Sequence, residues 1–440
     1  MFRASLLLTC FLLPNLIFAQ ATISLNSSPA PRVETAAQGG QAAPLPAATK
    51  LITLDEAIRL ALANSPSIKA TRTQVQQNQA QEITANLRPN PVFGGDSQFI
   101  PFFNPSQLSE NVEQYDAGLA YTFETGGKRH KRLLAARDQT GVTRSQVADA
   151  ERTLTFNVAQ QFINALLANS NLQFAQEDLE SFQQTVNISE QRYKAGDISE
   201  GDYLKIKLQL LQFQTDVSSA QVAKVQALGS LRQLMGYASV PRDYDVSGDL
   251  AYQPLTARLE DLEARALSER PDLRAAEQGI NAARSQLTLA QADGKPDVTL
   301  TTNYSHTPGL GSLSWFVSVP LPIFDRNQGE VARTRFALTQ AELSAQAAHD
   351  TVMTDVINAY EASQTNQQVV QLYTSGYLKE AEDSRDISAY AYKGGAATLL
   401  DFLDAERSYR ATQLAYRQAL AAYMLSLEQL RQAVGTRSLP

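Results

Sequence analysis

The chain has 440 residues, of which 43% are hydrophobic and 19% charged, and its formal net charge is −7. Its length is enough for two or three globular domains. The acidic balance argues against binding to nucleic acid, and no nucleophile motif, phosphate-binding loop or paired acid–base site indicates an enzyme. The three histidines are scattered and there is one cysteine, so the sequence predicts no metal site and no cofactor.

The first 21 residues have the pattern of a secretory signal peptide. Arg3 precedes an apolar run over residues 6–18, and small residues then place the cleavage site after residue 19 or 21. Cys10 lies inside this run, too early for lipid attachment, so its position argues against a lipid anchor. Residues 22–50 are mostly Ala, Pro, Ser, Gln and Gly, a composition typical of an extended arm.

Two halves, residues 51–245 and 246–440, follow the same order of patterns. Each half begins with a short helical pattern, and a proline then starts a second helix. Alternation of apolar and polar residues predicts four strands, at about residues 92–102, 114–123, 297–305 and 313–321. A proline-free region in each half then predicts one very long helix, a tip and a returning helix. A repeat of about 200 residues is too long for a solenoid unit and indicates a duplicated half-protein.

The predicted tips, at about residues 193–202 and 392–401, share a Tyr-Lys-x-Gly end, a hydroxyl residue and an acid three positions later. Glycine at the end of a helix, such as Gly196, adopts the left-handed conformation that stops it. A hydroxyl residue such as Ser199, with an acid three residues later, resembles a capping box for the next helix. Both segments therefore predict the tip of a helical hairpin.

The helical patterns are too long for an ordinary globular domain. The segment from Gly127 to Ala195 would form a helix roughly 100 Å long at about 1.5 Å per residue. Near the C terminus, apolar residues recur every seven positions in two stripes: Tyr409, Tyr416, Tyr423 and Leu430, and Leu420, Leu427 and Val434. Two stripes on one helix favour neighbours on both sides, as in a wall of helices. A dimeric coiled coil or a simple bundle core is the open alternative.

No segment after the signal has the roughly 18 consecutive apolar residues of a membrane-spanning helix, so entry into a membrane would require a closed β-barrel. Four strands cannot close a barrel, because the smallest outer-membrane barrels have about eight. Several chains would therefore share one barrel. Aromatic residues near the strand ends fit the interfacial girdles of such barrels, and ordinary sandwich-core packing is the open alternative.

Three sets of residues resemble the TolC family of outer-membrane efflux ducts. They are the paired Leu-x-x-Ala-x-x-x-Ala-Leu-x-x-x-Pro starts, the Arg-Tyr-Lys-Ala-Gly tip at residues 192–196, and the Asp-Phe-Leu-Asp-Ala run at residues 401–405. The resemblance covers about residues 51–435. Within the family, residues 123–129 and 321–329 are most similar to heavy-metal cation efflux members of the cobalt–zinc–cadmium type.

The resemblance implies a mainly α fold with a small β part. Long helical hairpins would form a periplasmic α-barrel, and four strands from each chain of a homotrimer would form a twelve-stranded β-barrel in the outer membrane. The implied function is passive export of small solutes, with heavy-metal cations as candidates. The implied partners are a periplasmic adaptor (membrane-fusion) protein, an inner-membrane pump of the resistance-nodulation-division type, and outer-membrane lipid. Alternatives are the duct of a type I protein secretion system and, in a different class, a periplasmic coiled-coil structural protein.

The resemblance also implies roles for residues at the tips. Asp401 and Asp404 match the acids that line the narrow periplasmic entrance, where three copies would favour cations. The alternative is that these carboxylates complement the dipole of their helix. Four tip residues are candidates for contact with the adaptor: Gly196, Ser199, Gly395 and Thr398.

The gate implied by the resemblance is incomplete. Tyr392 matches a tyrosine that hydrogen-bonds an acid on the neighbouring hairpin, and the matching acid is Asp202. Ala397 stands where the best-known member has an arginine, and Gly201 stands where that member has the residue that pairs with this arginine. The sequence therefore predicts an entrance that is held closed by fewer bonds.

A basic run, Lys-Arg-His-Lys-Arg at residues 128–132, directly follows the second predicted strand. Such a run is compatible with binding to nucleic acid or to lipid headgroups. Its position favours a place near the membrane interface, or simple solvation, over a ligand site.

Overall fold

The computed structural model describes residues 50–98 and 113–438. The signal peptide with Cys10, the arm up to residue 49 and the end of the first predicted strand, residues 99–102, lie outside these ranges. None of the described helices combines the length with the apolar composition that crossing a bilayer requires. In chain order the elements are β1 (Leu51–Ile52), α1 (Leu54–Asn64), α2 (Pro66–Ala85), β2 (Val92–Gln98), β3 (Gln114–Phe123), α3 (Lys128–Ala195), α4 (Glu200–Met235), β4 (Asp245–Val246), α5 (Leu259–Glu269), α6 (Pro271–Asp293), β5 (Val298–Thr307), β6 (Leu310–Ser318), α7 (Gln328–Leu372), a π-helical segment (Tyr373–Tyr377), α8 (Leu378–Lys393) and α9 (Leu399–Val434).

The elements occur twice in the same order: a short helix, a second helix, two strands and a long helical hairpin. Local sequence explains the boundaries. Thr53 caps α1, because its Oγ1 accepts a hydrogen bond (3.3 Å) from the backbone N–H of Glu56. Pro66 and Pro271 stand at the first positions of α2 and α6, where no hydrogen bond is lost. The prediction of a mainly α fold with a small β part is confirmed.

The long helix of the second half differs from the sequence prediction. In the first half α3 runs unbroken for 68 residues, but its counterpart is interrupted by the π-helical segment between α7 and α8. Gly376 in that segment has φ 157° and ψ −31°, which are not helical values. Glycine adopts such angles without a steric penalty and weakens a helix interior. The first half has no such break, since α3 is helical from Lys128 to Ala195.

The four long strands form one antiparallel sheet in the order β2-β3-β5-β6. The hairpin between β5 and β6 is tighter than the sequence predicted, since Thr307 already pairs with Leu310. Gly309, with φ 90°, supplies the positive φ that a two-residue turn needs. Strand β6 ends at Ser318 instead of continuing to residue 321, because Pro320 has no N–H to donate to the ladder.

One face of this sheet is apolar and exposed. Phe93 pairs with Leu119, and Thr302 lies between Leu119 and Trp315, so these side chains share one face. Phe93, Leu119 and Trp315 are 75%, 53% and 68% exposed. The next row, on the opposite face, is Gly118, Asn303 and Ser314. An antiparallel sheet in water packs its apolar face on the core, so this sheet has the reverse arrangement.

Two apolar cores hold the short helices of each half against a hairpin. In the first core, α1, α2 and the middle of α3 surround the end of α4, where Leu231 and Met235 are fully buried. In the second, α5, α6 and α7 surround the end of α9, where Leu430 and Val434 are fully buried. Each of these side chains contributes about 1.5–3 kcal/mol when it is removed from water.

A partly buried arginine links the two hairpins. Arg410 of α9 donates from Nε to Asp178 of α3 (2.9 Å) and from Nη2 to Asp216 of α4. Its guanidinium lies over the ring of Phe213, 4.2 Å from the centroid. Burial raises the pKa of Asp178, and the positive charge of Arg410 opposes this shift. Arg410 therefore opposes the effect of burial on the pKa of Asp178 while it joins three helices.

We expect Arg410→Met to destabilise the helical region by about 3–5 kcal/mol, since it leaves the buried Asp178 without its partner. Thermal or denaturant unfolding of the purified protein measures this loss. Removing the guanidinium raises the pKa of Asp178 further. The deficit is therefore largest above that raised pKa and shrinks as pH falls through it, because the protonated carboxyl carries no charge.

Arg333→Met is the matched control, because Arg333 makes an exposed i,i+3 ion pair with Glu330 on α7. It should leave the unfolding curve almost unchanged. An equal loss of unfolding free energy in the two variants would show that Arg410 is not a structural link.

Candidate functional site

The candidate site consists of the two hairpin tips and the helix ends around them. At the first tip, α3 ends at Gly196, whose φ of 85° is left-handed, and the N–H of Asp197 donates to the carbonyl of Arg192 (2.9 Å). Ser199 Oγ accepts from the backbone N–H of Asp202 (3.1 Å) and lies 2.9 Å from its carboxylate. The first hairpin thus turns on one glycine stop and one hydroxyl cap.

The second tip has a complete capping box. Gly395, with φ 76°, follows the end of α8. Thr398 Oγ1 accepts from the backbone N–H of Asp401 (3.2 Å), and Asp401 Oδ2 accepts from the backbone N–H (3.1 Å) and the hydroxyl (2.7 Å) of Thr398. These bonds lower the pKa of Asp401 and keep its carboxylate ionised. Asp401 therefore takes part in the cap of α9, and its role at the entrance stays a prediction.

Asp404, one turn further along α9, has a different environment. It is exposed, and it lines a cleft of about 440 Å³ between α4 and α9. Asp216 of α4 and Arg407 of α9 line the same cleft, whereas Asp401 does not. The structure thus separates the two predicted entrance acids into a capping carboxylate and a cleft carboxylate. Arg407 was missed from the sequence, although its spacing of three residues from Asp404 places both on one helix face.

Tyr392 is buried, and no hydrogen bond connects it with Asp202 in the described part of the chain. Its ring stacks on Phe402, with 5.4 Å between centroids and 9° between planes. Its hydroxyl has no partner within the described residues. The Asp202 carboxylate instead contacts Ser199 and lies 3.5 Å from Lys205 Nζ.

Arg192 of the first hairpin is the residue that contacts Tyr392. Its Nη1 donates to the carbonyl oxygen of Tyr392 (2.9 Å), and its guanidinium lies 5.4 Å from the centre of that ring. The sequence motif contained Arg192 but did not indicate this role, because the contact joins residues 200 positions apart. Below it, an apolar cluster shared by both hairpins completes the contact: Phe182, Val186, Ile206, Phe213, Leu399 and Phe402.

No group of three or more His, Cys, Asp or Glu side chains is arranged to hold a metal ion in residues 50–98 and 113–438.

Comparison with known proteins gives the family of this fold. The profile of the outer membrane efflux protein family matches residues 57–237 and 262–436. The chain is 25% identical over 369 residues to the cation efflux system protein CusC of Escherichia coli O6:H1, covering 80% of this chain and 79% of CusC. It is 22% identical over 367 residues to the cobalt-zinc-cadmium resistance protein CzcC of Cupriavidus metallidurans, covering 83% and 85%.

A solved structure of CusC superimposes with a TM-score of 0.73 at 21% identity, covering 88% of this chain and 94% of CusC, which shows a shared fold. These relatives are efflux proteins and not enzymes. A periplasmic coiled-coil structural protein, the alternative of a different class, does not fit this family. The family profile and the fold together confirm the resemblance found in the sequence, and the chain belongs to the outer membrane efflux protein family.

Proposed function

We propose that three copies of this chain form a passive duct, through which a tripartite system exports small cations across the outer membrane. The observation that carries the proposal is the sheet with an exposed apolar face and a mainly polar opposite face, on which Val92, Leu310 and Phe316 are the large apolar residues. Lipid suits the first face, and a water-filled lumen suits the second. Trp315 and Leu119 would contact acyl chains, and Asn303 and Ser314 would face the lumen.

The number of strands supports several copies. The edge strands β2 and β6 have no further strand partner in the described residues, and lipid offers none to their backbone groups. Three sheets of four strands, joined edge to edge, make a closed barrel of twelve. One sheet alone has half of the roughly eight strands that the smallest outer-membrane barrels need.

The helices support the same assembly. Large apolar side chains remain exposed on α4, as at Leu208 and Leu211, and on α8, as at Ile387 and Tyr390. Exposed apolar rows on long helices mark contacts with further helices. In a trimer, α4 of one chain would pack against α8 of the next and close a periplasmic tunnel.

The charges on α9 support cation preference at the entrance. Asp401 and Asp404 lie in its first two turns, and three chains would bring six carboxylates to the mouth of the tunnel. Arg407 follows one turn later and would partly offset this acidic ring. Cations as cargo agree with the names of the relatives CusC and CzcC, which are a cation efflux protein and a cobalt-zinc-cadmium resistance protein.

The tips are the proposed contact with an adaptor, which would connect the duct to an inner-membrane pump of the resistance-nodulation-division type. Gly196, Ser199, Gly395 and Thr398 are exposed at the ends of both hairpins. We also propose that Arg192 holds the entrance closed, because it is the polar tie between the two tips of a chain. It would take the place of the bonds that Ala397 and Gly201 cannot make.

We expect Asp401→Asn with Asp404→Asn to lower the cation-to-anion permeability ratio by up to roughly tenfold, since charged clefts concentrate counter-ions by at least about that factor. An asparagine amide oxygen at position 401 can still accept from the backbone N–H of Thr398, so the tip should keep its conformation. Reversal potentials in planar bilayers measure the ratio. Arg407→Gln should raise it.

The matched control removes the same charge from exposed positions of α7, as Glu342→Gln with Asp350→Asn. An unchanged reversal potential in the Asp401 and Asp404 variant would rule out these residues as the selectivity site.

We expect Arg192→Gln to raise the open-to-closed ratio of the duct roughly tenfold, because a hydrogen bond from a charged donor contributes about 1.5–3 kcal/mol. Single-channel recording measures this ratio. Lys194→Gln is the control, since Lys194 makes only an exposed i,i+4 pair with Glu190. Identical gating in the two variants would argue against Arg192 as the tie.

A further inference from the structure

The basic run at the start of α3 forms part of a cleft of about 400 Å³, where the sheet meets the helices. Three segments supply its walls: Arg88 and Pro89 before β2, residues 121–124 at the end of β3, and residues 127–130 at the start of α3. Glu124, the acidic residue of this lining, is paired with Arg132. We propose that this cleft binds the phosphate headgroup of an anionic phospholipid from the periplasmic leaflet of the outer membrane. The proposal rests on the proposed placement of the sheet in lipid.

Neighbouring acids neutralise only part of the basic run. Lys128 Nζ lies 2.8 Å from Asp297 Oδ2, and Arg132 Nη1 lies 2.6 Å from Glu124. These two cations join α3 to the sheet. Arg88 and Arg129, which line the cleft, form no ion pair with the described residues.

The backbone adds to this positive charge. Gly127 is the N-cap of α3 and has no side chain to cap the first turn. The N–H of Lys128 donates to the carbonyl of Thr125 (3.3 Å), whereas the N–H groups of Arg129 and His130 have no acceptor among the described residues. Gly127 also lines the cleft. A phosphate would thus meet two arginines and the N-terminal end of a 68-residue helix at one place.

The aromatic side chains fix the depth of the cleft relative to the bilayer. Tyr121 pairs with Leu300 and Phe123 pairs with Val298, so both aromatics lie on the exposed apolar face of the sheet. Their rings meet edge to face, with centroids 4.8 Å apart. Aromatic residues at the end of a lipid-facing strand lie at headgroup level. Arg129 lies in the first turn of the helix that follows this strand, which would place it among the phosphates and not among the acyl chains.

This geometry favours a lipid headgroup over nucleic acid, the other ligand with which the basic run is compatible. A nucleic acid would have to approach along a face that acyl chains cover. A phospholipid can place its phosphate against Arg129 and its chains against Phe123 without displacing the sheet from the membrane. Acidic residues of a neighbouring subunit could also fill the cleft, and the experiment separates this outcome.

The test is native mass spectrometry of the full mature protein in detergent, titrated with phosphatidylglycerol or with zwitterionic phosphatidylethanolamine. We expect the wild type to bind phosphatidylglycerol more tightly. Arg88→Gln with Arg129→Gln should weaken phosphatidylglycerol binding roughly 30-fold, since each basic side chain near an anionic headgroup contributes about a factor of five. Phosphatidylethanolamine binding should change little.

The control is Arg144→Gln with Arg284→Gln, which removes the same charge from exposed positions on α3 and α6. Arg144 lies about 24 Å along α3 from its start, at about 1.5 Å per residue. This variant should bind phosphatidylglycerol as the wild type does. Equal affinity of the wild type for phosphatidylglycerol and phosphatidylethanolamine would overturn the proposal. An equal loss of phosphatidylglycerol affinity in the two double variants would also overturn it.

Two further outcomes would also overturn it. Displacement of phosphatidylglycerol by an equal concentration of inorganic phosphate would make the cleft a site for free phosphate. Dissociation of the assembly in the Arg88 and Arg129 variant would make it a contact between subunits. Bilayer conductance distinguishes failure of the lipid site from failure of the duct. A protein that conducts ions but shows no preference for phosphatidylglycerol would refute the lipid site and leave the proposed duct unaffected.

Discussion

The structure depends on one constraint, which is that the four-stranded sheet has its apolar face on the outside. The row from Phe93 through Leu119 to Trp315 is exposed, and the row from Gly118 through Asn303 to Ser314 is small and polar. In water such a sheet would lose the free energy that apolar burial supplies, about 25 cal/mol for each Å² left exposed. A lipid environment would remove that loss, and in the proposed trimer further copies of the chain would satisfy the two open edges.

The helical region is stabilised differently, because its hairpins are too long to pack around one central core. It uses separate contacts along its length. Apolar cores around Leu231 and Leu430 fix the short helices, Arg410 joins α9 to α3 and α4, and Arg192 joins the tips. Arg410, Arg192 and the apolar cluster that contains Phe402 lie where the two hairpins meet. In the proposed opening, Arg192 would release Tyr392 while the cores around Leu231 and Leu430 stay packed.

Local patterns allowed much of this fold to be predicted. The two-residue period gave the strands, and the hydroxyl residue followed by an acid three positions later located Thr398 and Asp401. Contacts between distant residues left no such pattern. Arg410 meets an acid 232 positions away, and nothing near it in the chain indicates this partner. The break at Gly376 was missed because a glycine within a helical pattern is usually tolerated. The roles of Asp404 and Arg407 at the entrance stay predictions, since they require neighbouring chains.

Trp315 allows the most direct test of lipid contact, because it is the only tryptophan in the sequence and lies about halfway along edge strand β6 on the apolar face. The measurement is its fluorescence in the assembled protein, reconstituted into liposomes whose lipids carry bromine on the acyl chains. We expect blue-shifted emission that the brominated lipids quench strongly and aqueous iodide quenches weakly. Emission typical of water, quenched by iodide and unaffected by brominated lipids, would contradict the placement of this sheet in the membrane.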